Sequence, residues 1–301
     1  MRKLWFVLVG VIIAAVIWSS LRSGELRKDT ARVSNGGIMA AGFEGGGKWL
    51  NSEPLTLVGL LADKKAILVD FWTYSCINCQ RTIPYLRSWW EKYEDKGLVI
   101  IGVHSPEFEF EKETANVEMA INKYGVGWPV VQDNEMKIWR AYANNYWPHK
   151  YLINRQGNVV YDHIGEGGYE ETEKKIQELL QVSAVIEVAD EVTQDRNQTP
   201  ELYVNKRGND QAKLVGEWVV TDDYAQAGSG AKLKLEYQAG EVNLVMSGEG
   251  RIVVFVDGRE EKKMEIVDDD LYNLWKGEFG KHVLEMTIDQ GVRVHAFTFG
   301  K

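Results

Sequence analysis

Apolar and polar positions follow two different rhythms along this chain, one on each side of a polar, irregular stretch over residues 182–212. In the first part, continuous apolar runs alternate with helical periodicity. Ala66 to Phe71 reads as a buried strand, and residues 77–95 as a helix that carries Pro84. Leu98 to Val103 is a second apolar strand. Residues 111–124 place Val117, Ala120, Ile121 and Tyr124 on one helical face. Trp128 to Val131 is a third short strand, followed by a helix over 135–143. Tyr151 to Ile153 and Val159 to Tyr161 flank the turn residues Asn154 to Asn158, which is a hairpin signal. Residues 169–181 close this part as a helix with Ile176, Leu179 and Leu180 on one face. Parallel β-α-β units followed by an antiparallel hairpin and a last helix predict one α/β domain over 49–182.

Beyond the linker, expected over 183–212, only strand patterns appear. Lys232 to Tyr237 alternates strictly, and Val242, Leu244 and Met246 alternate after it. Ile252 to Val256 is apolar throughout and ends in the hairpin pair Asp257-Gly258. Leu284, Met286 and Ile288 alternate again, and Val292, Val294 and Ala296 form the last stretch. About eight short strands at this spacing predict an all-β jelly-roll sandwich over 213–301.

The start of the chain follows a third pattern. Arg2 and Lys3 precede an apolar run from Leu4 to Trp18, closed by Ser19, Ser20 and Leu21. That approaches the ~20 residues a helix needs to span a bilayer. The small residues a signal peptidase requires are poorly matched at its end, so residues 1–21 read as one uncleaved transmembrane anchor. Residues 22–48, with Asn35-Gly36-Gly37 and Gly45-Gly46-Gly47, read as a flexible tether. Arg22, Arg27, Lys28 and Arg32 follow the span and do not favour export on a positive-inside count. Export is still expected, because a large domain behind an N-terminal span can translocate despite nearby charge. The protein is thus placed at the cytoplasmic membrane, with its domains facing the periplasm or the cell exterior.

Composition narrows the chemistry. A formal net charge of -9 over 301 residues argues against a nucleic-acid binder. The only two cysteines form one Cys-x-x-Cys, Cys76-Ile77-Asn78-Cys79. A four-cysteine zinc site is thereby excluded within one chain, and Gln80 stands where a c-type haem motif needs His. No metal or other cofactor is expected. The pair follows a buried strand and opens a helix, where the dipole and free backbone N–H groups lower a thiol's pKa. Cys76 is therefore expected to attack, and Cys79, one turn on, to resolve the mixed disulfide, so that the two cycle through a Cys76–Cys79 disulfide. Ile77 and Asn78 include no His or Lys to stabilise a thiolate strongly, which points to a reductase rather than a strong oxidant.

Asp70, Phe71, Trp72, Cys76, Cys79 and Pro84 resemble the strand, active site and helix proline of the thioredoxin superfamily. Trp147-Pro148-His149 resembles its cis-proline loop. The longer strings Trp49-Leu50-Asn51-Ser52, Phe71 to Cys79 and Gly102 to Phe108 look like the extracytoplasmic TlpA/DipZ subgroup. This resemblance implies that the α/β domain over 49–182 is thioredoxin-like and that Asp70 is a buried carboxylate moving protons for Cys79. It implies a cis Pro148 that sets backbone groups of Trp147 and His149 beside the disulfide, where an extended substrate can pair with them, with Trp72, Trp147 and His149 as the substrate-binding residues. It also implies disulfide-bearing extracytoplasmic proteins as partners, a CcdA/DsbD-type membrane electron donor, and a C-terminal module like those that bind carbohydrate. Trp218, Tyr224, Tyr272 and Trp275 are the aromatics that could stack on a glycan, or equally part of the core. His104 and Glu107 follow a strand end on the active-site side and either tune the thiols or pack the loop. The rival activities are a thiol peroxidase on the same fold, and a glycan- or protein-binding module with a secondary redox domain.

Overall fold

The computed structural model describes residues 33–34, 37–63, 66–186, 197–206, 208 and 211–301. The chain divides into two compact units, Met1–Met39 and Ala40–Lys301. In the first, Val33 pairs opposite Ile38 and Ser34 opposite Gly37. The expected anchor over 1–21 lies outside the described residues. No helix among the described residues is long and apolar enough to cross a membrane.

The second unit begins with an α/β half. Its elements are β1 (Trp49–Leu50), α1 (Leu57–Asp63), β2 (Ala66–Trp72), α2 (Ile77–Tyr93), β3 (Leu98–His104), α3 (Thr114–Tyr124), β4 (Val130–Gln132), α4 (Lys137–Ala141), β5 (His149–Asn154), β6 (Asn158–Ile164) and α5 (Tyr169–Leu180). Along the sheet the strands run β6-β5-β2-β3-β4-β1. β2 pairs parallel with β3, and β3 with β4, while β5 and β6 form the antiparallel hairpin. β2 and β3 are buried along their whole length, so they read as nearly continuous apolar runs, interrupted by Asp70 in β2 and ended by His104 in β3, rather than as alternating ones. Alternate residues of β2 serve two cores. Leu68 and Trp72 pack with α2, α3 and α5, whereas Ile67, Val69 and Phe71 pack with α1 and α4 on the other face.

Helix α2 buries Cys79, Thr82, Ile83, Leu86, Trp89 and Tyr93, a stripe at helical spacing. At roughly 1.5–3 kcal/mol for each large apolar side chain removed from water, this stripe fixes the helix on the sheet. Pro84 sits on the exposed face of the helix. Residues 40–48, expected within the tether, pack on this half. Phe43 is buried in the α1/α4 core, Gly47 N–H donates to Gln132 O (2.7 Å), and Gln132 N–H donates to Lys48 O (2.9 Å).

The C-terminal half is all β. Its strands are β7 (Leu202–Tyr203), β8 (Lys213–Val215), β9 (Trp218–Val220), β10 (Ala225–Ala227), β11 (Lys232–Ser247), β12 (Gly250–Val256), β13 (Arg259–Ile266), β14 (Asp270–Ile288) and β15 (Arg293–Gly300). All pair antiparallel in one hydrogen-bonded network, with the central order β9-β10-β15-β11-β14-β12-β13. β11 and β14 are 16 and 19 residues long and shift register at bulges near Ala239 and Val242. Bulges bend a strand, so both long strands contribute to more than one wall of a common core built on Leu233, Leu235, Leu244, Met246, Leu284 and Phe297. Trp218, Tyr272 and Trp275 are half-buried against that core. Tyr224 lies beneath the Arg293 guanidinium, 4.9 Å from its ring centre.

The two halves pack on each other. Phe108 is buried against Val245 and Ala296, with Phe110 and Leu271 beside them. The Tyr74 hydroxyl donates to Asp269 O (2.9 Å), and Lys123 pairs with Asp270. Arg81 bridges Glu166 of the α/β half (3.5 Å) and Glu241 of the all-β half (3.6 Å). Tyr74 and Arg81 flank the Cys-x-x-Cys in sequence, so the all-β half abuts the redox motif itself.

Candidate active site

The turn from β2 into α2 positions both cysteines. Cys76 has extended backbone and caps α2: its Sγ accepts the N–H of Cys79 at 3.4 Å. A sulfur in that place lies on the helix axis, where unpaired N–H groups favour negative charge. Both residues are thiols here, Cys76 half-buried and Cys79 buried. Burial pushes the Cys79 thiol well above the ordinary range, and the neighbouring Cys76 and Asp70 push in the same direction. The two thiols thus differ in access in the way an attacking and a resolving residue must.

Asp70 lies on the α2 face of β2 and is 3% exposed. Burial lifts its pKa from 3.8 to about 7, and the charge of Lys150 holds it from rising further. Its Oδ1 has no hydrogen-bond partner among the described residues. Lys150 stands directly opposite Asp70 in the β2–β5 ladder and is fully buried. Its Nζ donates to Gly165 O at 3.0 Å. Burial lowers the Lys150 pKa, while Asp70 and Cys79 act to raise it. Asp70, Lys150 and Cys79 therefore form one buried, electrostatically linked group. Replacing Lys150 by Met is expected to carry the Asp70 pKa above its present value of about 7. The inflection in the pH–rate profile for mixed-disulfide resolution should move to higher pH by about one unit, and an unmoved inflection would detach Lys150 from Asp70.

The Trp147–Pro148 peptide bond is cis. Trp147 lines the cleft beside Cys76, with its Nε1 donating to Ser105 O (3.0 Å) and its ring tilted against Trp139. Trp72 is placed differently from the substrate contact expected of it, and the side chain of His149 points away from the thiols. Trp72 is 2% exposed and packs edge-on to His104, beneath the site rather than in it. His149 stands opposite Phe71 in the ladder, so its ring lies on the face of the sheet away from Cys79. There its Nδ1 is 2.6 Å from Asn144 Oδ1 and its Nε2 2.9 Å from Asp162 Oδ2. His104 is fully buried, and burial lowers its pKa to about 3, so it is neutral and stacks on Tyr74.

Two acids after β3 organise the rim. Glu111 is fully buried and accepts four hydrogen bonds: from Ser75 N–H (3.3 Å), Ser75 Oγ (2.7 Å), Glu107 N–H (2.6 Å) and Phe108 N–H (3.0 Å). One carboxylate thereby ties the residue before Cys76 to the loop after β3. Glu107 is half-buried, takes a hydrogen bond from the Tyr203 hydroxyl, and has its pKa raised to about 8 by burial and by the nearby charge of Glu201.

Lys150, Glu111, Glu201 and Tyr203 were not singled out from the sequence. Lys150 did leave a signal, a lone cation at the head of the apolar run Tyr151 to Ile153. Glu111 left none, being one of several acids between Glu107 and Glu118.

Residues 48–162 match the model of the AhpC/TSA family, and residues 184–300 match that of the thioredoxin like C-terminal domain. Protein DipZ of Mycobacterium tuberculosis is 33% identical over 293 residues, covering 84% of this chain and 41% of DipZ. The chain is similar to thioredoxin-like proteins of the TlpA/DipZ type. It spans about two fifths of the length of that relative. Thiol-disulfide oxidoreductase ResA of Bacillus thuringiensis is 30% identical over 115 residues, covering 38% of this chain and 64% of ResA. A thioredoxin-like protein solved in its oxidized form aligns at 25% identity over 48% of this chain and 95% of its own, with a TM-score of 0.42. The DipZ similarity, at 84% of this chain, extends into both halves of the second unit.

Proposed function

We propose that the protein is a membrane-tethered, extracytoplasmic thiol–disulfide oxidoreductase that reduces protein disulfides through Cys76 and Cys79. The observation that carries this reading is the accessible Cys76 at the start of α2, with buried Cys79 one turn behind it above Asp70. The Cys76 thiolate attacks one sulfur of a client disulfide, breaking the client S–S bond and forming a mixed disulfide. That attack expels the client's other sulfur as a thiolate; Asp70 then takes the proton from Cys79, whose thiolate attacks Cys76 Sγ and displaces the client sulfur held in the mixed disulfide. Two electrons pass to the client, its two thiolates take up one proton from Asp70 and one from solvent, and the chain is left with a Cys76–Cys79 disulfide. A CcdA/DsbD-type membrane carrier would then return it to the dithiol. Reduction of insulin disulfides by the full chain with dithiothreitol tests the activity, and a rate no higher than dithiothreitol gives by itself would refute it.

The AhpC/TSA match gives a second reading, thiol-dependent peroxide reduction, a specific footing. The resolving cysteine three residues from the first, at a helix start, fits disulfide exchange better. Peroxide consumption by the reduced chain, measured beside insulin reduction, separates the two. For the all-β half the glycan reading has little support, since three of its four candidate aromatics pack on the core.

The anchor is proposed to hold both halves outside the cytoplasmic membrane, where disulfides persist. Protease added to spheroplasts should then remove the redox half. Full protection would place it in the cytoplasm.

A further inference from the structure

The all-β half supplies one wall of the cleft that leads to the attacking thiol. This cleft, of about 310 Å³, has Cys76, Glu107 and Trp147 on the α/β side. Facing them are Pro200, Glu201 and Phe299 of the C-terminal half. The facing segment is fixed at both ends. Thr199 N–H donates to Gln238 O (2.9 Å), and Gln238 N–H donates back to Thr199 Oγ1 (2.7 Å). On the other side, Leu202 and Tyr203 pair with Phe297 and Ala296 of β15. Pro200 and Glu201 thus form a short span between two anchors, and proline removes one further degree of backbone freedom. Such a span acts as a wall rather than a lid.

The lining has a single sign of charge. Among the described residues it carries two carboxyls, Glu107 and Glu201, and no Lys, Arg or His. Tyr203 holds Glu107 toward this rim through its hydroxyl. Burial raises the pKa of both carboxyls, that of Glu107 to about 8, so the lining is fully charged only above about pH 8; there it outweighs the roughly half positive charge that the start of α2 places at Cys76, and the peptide test below is run there. A cleft of one sign with low-dielectric walls concentrates the opposite sign and rejects its own.

We propose that this interdomain cleft is the client-binding site and that it selects extended, disulfide-bearing segments with a basic residue beside the cysteine, Glu201 of the all-β half being the residue that sets the preference. The inference deepens the reading of Cys76 as the attacking thiol and rests on it. It gives the C-terminal half a direct role in the redox reaction, as the selective wall of its substrate cleft.

The test uses the full chain, reduced beforehand, and three peptides that share one intramolecular disulfide and differ only in the adjacent residue: Arg, Ala or Glu. Each turnover oxidises Cys76 and Cys79 to a disulfide and delivers two electrons and two protons to the peptide's two sulfurs. The second-order rate constant should be about tenfold higher for the Arg peptide than for the Glu peptide. In Glu201→Gln the ratio should shrink, and in Glu201→Lys it should fall to one or below. The ratio is taken within each variant, so a general loss of activity does not affect it. A wild-type ratio within twofold of one would leave thiol–disulfide exchange standing and overturn the charge selection. A ratio unchanged in both variants would remove Glu201 from it. Failure to reduce any of the three peptides would overturn both readings.

Discussion

Replacing Cys76 by Ser should reduce disulfide reduction to the uncatalysed background, whereas replacing Cys79 by Ser should leave a chain that accumulates mixed disulfides with its clients. The asymmetry follows from access. Cys76 is half-buried at the mouth of a cleft and caps α2, while Cys79 is buried behind it. Only the outer sulfur can meet a client. Only the inner one stands where it can displace that client without solvent access. The adducts should be visible as dithiothreitol-sensitive, higher-mass species on non-reducing gels, present for Cys79→Ser and absent for Cys76→Ser. Two variants that behave alike, neither collecting adducts, would contradict the division of roles.

Asp70→Asn should have the second largest effect, and it should appear in both kinetics and stability. The Asp70 carboxyl titrates at about 7, so near neutral pH about half the molecules hold it ready to accept the Cys79 proton. Loss of a positioned base typically costs 10²–10⁴-fold. Because Cys79 can lose its proton by slower routes, roughly 10- to 100-fold is expected for the resolution step at pH 7. The wild-type rate should rise with pH to an inflection near 7, and that inflection should be missing from the variant. A variant profile that matches wild type from pH 6 to 9 would remove Asp70 from the mechanism. The stability effect has a definite sign. An acid whose pKa is raised by folding binds its proton more tightly in the folded state. Its presence therefore costs no stability below about pH 4, and the cost grows as pH rises from about 4 to about 7. At ~1.4 kcal/mol per pH unit the wild-type chain should lose up to roughly 4 kcal/mol across that range. The variant, whose amide does not titrate, should lack this loss. Urea titrations at pH 4.5 and 8 compare the two chains directly.

Much of the redox half was legible because its signals are local. The apolar runs of β2 and β3, the helical stripe of α2 and the turn Asn154–Asn158 each identify an element without reference to a partner. The all-β half was legible in class but not in layout. Gln238-Ala239-Gly240 reads as a break between two strands, yet it lies at a bulge inside the single strand β11. A Cβ at Gly240 would come within 3.0 Å of Lys301 and 3.1 Å of Gly277 O, so this glycine serves a close backbone approach rather than a turn. Side-chain direction was equally hidden. His149 and Lys150 are neighbours in sequence, but strand alternation sends Lys150 to Asp70 and His149 to the opposite core. The cleft wall could not be read at all, because it depends on Pro200 and Glu201 meeting Cys76 across more than 120 positions of chain.

The central claim is that Cys76 and Cys79 work as one reducing dithiol, and it is tested most directly by a redox titration. The full chain is equilibrated in dithiothreitol buffers of graded potential, then quenched and alkylated, and the fraction carrying two labels is counted by mass. One two-electron transition is expected, because the two sulfurs form a single disulfide. Its potential should lie nearer the roughly -270 mV of thioredoxin than the roughly -120 mV of a strong oxidant, since Ile77 and Asn78 add no cation and burial disfavours the Cys79 thiolate. Two thiols that label independently at every potential, or a midpoint near -120 mV, would contradict the account.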